Sequence, residues 1–237
     1  MMLYVYGVVD SPQFSAAVSG HEEAIVFPVA CGDLAAAASG VSCALEPQVQ
    51  NIWRHEQVLE VLMQEHAVLP LRFGTCVRDV DTLSHDLQRR RPALLESLAR
   101  VRGKVEFALR VAGIMAAGES PVICRDDTAS SLLPGTRYLQ AKAKIFHEQA
   151  NIDAAARRVR SMLEPDLDGA AVAAVWELGG KASAPLIASY LVARDNIPQF
   201  IHAIDTARGD HPALDITCSG PWAPYSFVSM RRAEAER

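Results

Sequence analysis

The sequence predicts an α+β chain of two domains: a mixed N-terminal α/β-sheet domain and a C-terminal ferredoxin-like domain of the split βαβ type, with a C-terminal tail packing back on the first. Three observations predict it. The chain has 237 residues, long for one average domain and comfortable for two. Short runs of β-branched and aromatic residues alternate with longer stretches whose apolar residues recur at helical spacing. A stretch of glycines, prolines and small polar residues near 113–135 separates the two halves. The expected division is therefore 1–113 for the N-terminal domain, 114–135 for the connection, 136–219 for the C-terminal domain and 220–237 for the tail.

Leu3 to Val9 is β-branched and aromatic and ends at Asp10, Ser11 and Pro12, all turn formers, so it reads as the first strand. Glu23 to Ala30 and Leu34 to Ala38 read as the second and third. From Gln48 to His66 the residues Val58, Leu59, Leu62 and Met63 recur at helical spacing, and Pro70 is the latest point at which that helix stops. Leu69 to Val77 reads as a strand. In Val80 to Arg100, Leu83, Leu87, Leu94 and Leu98 form a helical stripe, and Arg89, Arg90 and Arg91 read as its solvated face. After Gly103, Lys104 to Val111 alternates with Val105, Phe107, Leu109 and Val111 on one face, the pattern of a half-buried strand.

Beyond the connection, Thr136 to Leu163 repeats Tyr138, Ile145, Ile152 and Val159 every seven residues, a helical stripe able to pack on a sheet. Ala171 to Leu178 and Leu186 to Ala193 read as strands joined through a turn at Gly179 and Gly180. A helix over Ile197 to Ala207 and a strand over Leu214 to Cys218 follow. The second half reads α-β-β-α-β, a split βαβ arrangement lacking an obvious first strand.

Composition excludes several classes of function. Half the residues are hydrophobic and 22% are charged, as in a globular protein. A net charge of −5 argues against a phosphate-binding surface, so no nucleic acid is expected. Five cysteines at 31, 43, 76, 124 and 218 form no CxxC pair, and no apolar run reaches the ~18 residues of a membrane span. A reducing cytoplasm fits.

Catalytic and metal motifs are weak. His55, Glu56 and His66 invite a metal site, but eleven residues of helix separate the histidines by ~16 Å along the axis. Glu56 and Glu60, one turn apart, read as an exposed face. Cys76 lacks the signature of a catalytic thiol, and no glycine pattern makes a phosphate cradle. No cofactor, metal or catalytic residue is expected. An enzyme with a domain-cleft site drawn from His55, Cys76 and Arg72 is the alternative.

Two segments stand out. LPLRFGT at 69–75 sets an arginine among apolar residues, and GPWAPYSFV at 220–228 combines two prolines with an indole, a phenol and a phenyl ring, a stiff segment built to pack. Read as an extended strand, Leu69 to Gly74 places Arg72 away from Leu69, Leu71 and Phe73. There it is expected to pair with Glu106 on the neighbouring strand, covered by the tail through Trp222 or Phe227 with Tyr225 as a hydroxyl handle. Together with HEQVLEVLMQEHAV, GKVEFALRV, the YL of GTRYLQAK and YLVARDNIPQFIHAI, these segments resemble the gas vesicle GvpL/GvpF family over nearly the full length. Ala223 departs from the pattern, standing where a second proline is expected.

The resemblance implies a two-domain α+β protein with a ferredoxin-like second domain. It implies an accessory or minor structural component of gas vesicle formation in the cytoplasm, associated with the vesicle, and no enzyme. The expected partners are the hydrophobic gas vesicle shell protein and other accessory proteins. Arg72, Phe73, Glu106, Trp222, Tyr225 and Phe227 are the structural or partner-binding candidates.

Overall fold

The structure is a computed structural model that describes residues 2–14, 19–113, 134–177 and 186–228. The expected Gly179–Gly180 turn, most of the 114–135 connection and the last residues of the tail lie outside the described residues. The chain forms two compact units: residues 1–106 with 220–237, and residues 107–219.

In the first unit, β1 (Met2–Val9), β2 (Phe27–Cys31), β3 (Leu34–Val41), β4 (Val68–Pro70) and β5 (Cys76–Val77) make one sheet in the order β2-β3-β1-β4, with β5 also on β1. Strand β1 is buried from Leu3 to Val9 because it is paired on both sides and covered on its faces. Gly7 permits this pairing, since a Cβ there would meet the Leu69 carbonyl oxygen at 2.8 Å. The helices α1 (Val49–Glu65) and α2 (Val80–Val101) bury Val58, Leu59, Leu62 and Met63, and Leu83, Leu87, Leu94 and Leu98, the stripes read from spacing. Asp79 caps α2 by accepting from the Thr82 N–H at 2.8 Å and hydroxyl at 2.6 Å. The arginine triplet on α2 is paired with acids, Arg89 and Arg90 with Asp86 and Arg91 with Asp33.

Three local readings change. Glu23 belongs to a turn at His21–Glu23, with Glu22 and Glu23 both at positive φ, so the second strand starts only at Phe27. The third strand continues to Val41. Leu69 to Val77 is two short strands, β4 and β5, parted by a turn in which Gly74 has φ +84° and the Thr75 N–H donates to the Arg72 carbonyl. Pro70, without an N–H, and Gly74, free to adopt positive φ, break the ladder that a periodicity reading carries through.

The second unit contains β6 (Lys104–Ala112), α3 (Pro134–Asp168), β7 (Ala173–Glu177), β8 (Leu186–Ala193), α4 (Ile197–Asp210) and β9 (Asp215–Trp222), with sheet order β7-β8-β6-β9. Strands β7 and β8 are antiparallel, from Ala173 opposite Leu191 to Glu177 opposite Ile187. Its core holds Phe200, with the ring centroids of Phe107 and Tyr190 5.2 and 5.3 Å from it, and Val159, Leu163 and Leu167 of α3. Of the seven-residue stripe, Val159 is buried and Ile152 half-buried, whereas the side chains of Tyr138 and Ile145 lie outside the described residues. Strand β6 buries Val105, Phe107, Leu109 and Val111 as its alternation requires. The chain passes between units within β6 and β9, so the composition shift at 113–135 connects β6 to α3 inside the second unit. The strand that the α-β-β-α-β reading lacked is β6.

Candidate functional site at the C-terminal tail

Within the first unit, polar side chains from β1, α1 and the C-terminal segment meet over the sheet. Tyr4 and Tyr6, two residues apart on β1, are both fully buried and both carry a hydroxyl that needs a partner. His55 of α1 lies three, four and seven residues before Val58, Leu59 and Leu62, on the buried stripe, and is itself fully buried. The Tyr4 hydroxyl lies 2.9 Å from His55 Nδ1, and His55 Nε2 lies 3.0 Å from both the Leu71 carbonyl and the Tyr225 hydroxyl. A carbonyl only accepts, so Nε2 carries the proton and Nδ1 accepts from Tyr4. Tyr4 in turn accepts from the Gly74 N–H at 3.1 Å. Tyr225 donates to Glu56 Oε1 at 2.7 Å. The donors thus run in one direction, from Gly74 through Tyr4 to His55, then to Leu71 and Tyr225, and from Tyr225 to Glu56.

Burial sets the electrostatics. It holds His55 down at a pKa of about 4, against a smaller upward pull from the bond to Leu71. It also lowers His21, Arg54 adding to the fall and Glu22 opposing it; the ring stacks on Tyr6, and its Nε2 is buried without a hydrogen bond. Burial raises Glu56, the bond from Tyr225 working against the rise. Burial pushes Tyr225 above its ordinary value, reinforced by the bond to Glu56. Both imidazoles are neutral near pH 7. Phe73 closes the cluster with its ring 6.0 Å from Tyr4 and 6.1 Å from His55.

A second anchor holds the tail. Gly220 to Trp222 continue β9 and Tyr225–Phe227 form a 3-10 turn, through which the Ser226 N–H and hydroxyl donate to the two Glu106 oxygens at 2.8 and 2.7 Å. Glu106 is only 6% exposed. Ala223 and Phe227 are buried and Tyr225 half-buried in the same region, while Trp222 is 37% exposed.

The expected Arg72–Glu106 pair is not formed. Arg72 is exposed in the turn before Gly74, its carbonyl accepting from the Thr75 N–H and hydroxyl, and none of the ion pairs among the described residues involves it. The cause is the broken strand: a turn swings the arginine outward, and the tail supplies Glu106 with neutral donors instead. Among the described residues no tail carbonyl accepts from Arg72. Of the three residues named for the enzyme alternative, His55 commits both nitrogens to this network, the Cys76 thiol is raised by burial, and Arg72 lies exposed in the turn. Among the described residues no three metal-ligating groups cluster. The sequence reading overlooked His55, Glu56 and Ser226 as tail contacts and Tyr4 as the partner of His55. The helical stripe placed His55 inward and was the available signal; for Ser226 there was none.

Residues 2–229 match the family of the gas vesicle synthesis protein GvpL/GvpF. The chain belongs to this family. It is 27% identical to gas vesicle protein F2 of Halobacterium salinarum over 96% of this chain and 92% of that protein. It is 28% identical to gas vesicle protein F of a Streptomyces species over 96% of this chain and all of that protein. The crystal structure of the gas vesicle protein GvpF from Microcystis aeruginosa shares its fold at a TM-score of 0.79 and 20% identity, over 97% of this chain and 99% of that one. As a GvpL/GvpF protein the chain has a role in gas vesicle formation, and its family is not a known enzyme family. No helix among the described residues is long and apolar enough to cross a membrane.

Proposed function

We propose that this GvpL/GvpF protein is a cytoplasmic, vesicle-associated accessory or minor structural protein and not an enzyme. In this reading it binds the hydrophobic shell protein and other accessory proteins noncovalently while gas vesicles nucleate and grow. The observation that carries the reading is the family match over residues 2–229. The site's chemistry supports it, because Tyr4, His55, Tyr225, Glu56, Ser226 and Glu106 spend their polar atoms on one another. Such a network fixes a conformation.

Phe73, Glu106, Tyr225 and Phe227 then hold the C-terminal segment in place, and Arg72 and Trp222 face partners. The second unit, with its β-α-β-β-α-β order and β7-β8-β6-β9 sheet, is read as ferredoxin-like. The test is co-expression with the shell protein, where a soluble complex that co-elutes is expected. Failure to co-elute or to change shell-protein aggregation, together with normal vesicles after deletion of the gene, refutes the reading.

A further inference from the structure

We propose that the N-terminal half of α1 is a docking surface for an amphipathic helix of a partner protein, one whose apolar stripe is flanked by lysine or arginine. The proposal rests on the assembly reading above and names the face through which a partner is held.

Val49, Ile52 and Trp53 are 66%, 40% and 58% exposed, although α1 buries Val58, Leu59 and Leu62 further along. At about 100° per residue the three fall within an arc of roughly 100° beside the buried stripe, so they form one patch rather than scattered apolar residues. Glu56 and Glu60 fall in the same arc. Glu60 is exposed and Glu56 half-buried. The one cation of α1, Arg54, projects to the other side and pairs with Glu23 at 2.9 Å.

The surface is thus apolar at the helix start and acidic over the next two turns, a strip of about 16 Å from Val49 to Glu60. A helix presenting apolar residues at i, i+3 and i+4 with a basic flank is complementary to it in length, period and charge. The same carboxylates repel an anionic membrane. Three side chains make a small contact, which fits weak, reversible holding during assembly.

The experiment uses the full chain and two synthetic peptides of about 18 residues, each helical with a leucine stripe, one flanked by lysines and the other by glutamates. The lysine peptide is expected to bind, more weakly at high salt, and the glutamate peptide to bind at least tenfold more weakly. Ile52→Ser with Trp53→Ser should cut lysine-peptide affinity at least tenfold without moving the melting temperature. Glu60→Lys should shift the preference toward the glutamate peptide. Equal binding of the two peptides, or affinities unchanged in these variants, overturns the proposal. In a parallel arm, undiminished capture of the shell protein by the Ile52→Ser, Trp53→Ser variant also overturns it and leaves the assembly reading standing. Wild-type chain that shows the peptide preference but captures no shell protein counts against the assembly reading and supports the docking surface.

Discussion

Lowering the pH from 7 to 4 should destabilise the first unit, and His55 carries a defined share of the loss. The ring is fully buried and neutral, donating from Nε2 to the Leu71 carbonyl and accepting at Nδ1 from Tyr4. A proton on Nδ1 would face a hydroxyl that must then stop donating while it still accepts from the Gly74 N–H. The nearest acid in the network, Glu56, is reached only through the Tyr225 hydroxyl. Burial accordingly holds the folded pKa at about 4 against an ordinary 6.5. Between those values the unfolded chain binds the extra proton and the folded chain does not, so stability falls as the pH drops through 6.5 and the loss is complete below 4. At ~1.4 kcal/mol per pH unit the loss comes to about 2 kcal/mol by pH 5 and about 3 kcal/mol in full.

The half-buried Glu56 carboxyl is raised and acts in the opposite sense, gaining stability as it protonates, and His21 adds to the acid loss. A difference measurement separates them. Urea unfolding followed by circular dichroism at pH 7, 6 and 5 is compared for wild type and His55→Gln, whose amide still donates to Leu71 but does not titrate. The variant should be less stable at pH 7, and the gap should narrow by about 2 kcal/mol at pH 5. A gap that stays constant from pH 7 to 5 refutes the neutral, buried assignment of His55.

Other substitutions test the tail and the sheet. Glu106→Ala removes both acceptors of Ser226 and should cost about 1.5–3 kcal/mol, the range for hydrogen bonds to a charged group, with faster proteolysis of the C-terminal segment; an unchanged melting temperature counts against the anchor. Arg72→Ala, at an exposed turn, should change stability by no more than about 0.5 kcal/mol in the same melts, and a larger loss would reveal a buried role. Gly7→Ala should cost about 1–3 kcal/mol in a urea melt, because the new methyl meets the Leu69 carbonyl rather than a movable side chain.

What the sequence made legible was whatever depends on neighbours close in the chain. Helical stripes in α1 and α2 and the alternation of β6 follow from one buried face each, and the side chains named from spacing are the ones buried. The errors fall where a distant segment changes the meaning of a local pattern. Glu106 was expected under the tail as the partner of Arg72, but its oxygens are taken by Ser226, 120 residues away. Arg72 was placed by continuing a strand through Gly74, and a single residue at φ +84° reverses its direction. The change of composition at 113–135 falls after β6, the strand along which the chain passes from the first unit into the second.

His55 shows how near the site lay to being readable. A histidine on a buried helical stripe and a Tyr-x-Tyr pair on an apolar strand each require a polar partner away from water, and each supplies what the other lacks. Tyr4 needs an acceptor for its proton, His55 Nδ1 is an acceptor, and no other arrangement of one phenol and one neutral imidazole lets Nε2 keep its proton for Leu71. The tail completes the set, because a half-satisfied network costs more than an apolar core. Tyr225 brings an oxygen to His55 and a proton to Glu56 in one group, which a phenylalanine at that position would not. The tail's polar residues therefore do work that its apolar bulk alone cannot: Phe227 and Ala223 supply area in any orientation, whereas Tyr225 and Ser226 are satisfied in one.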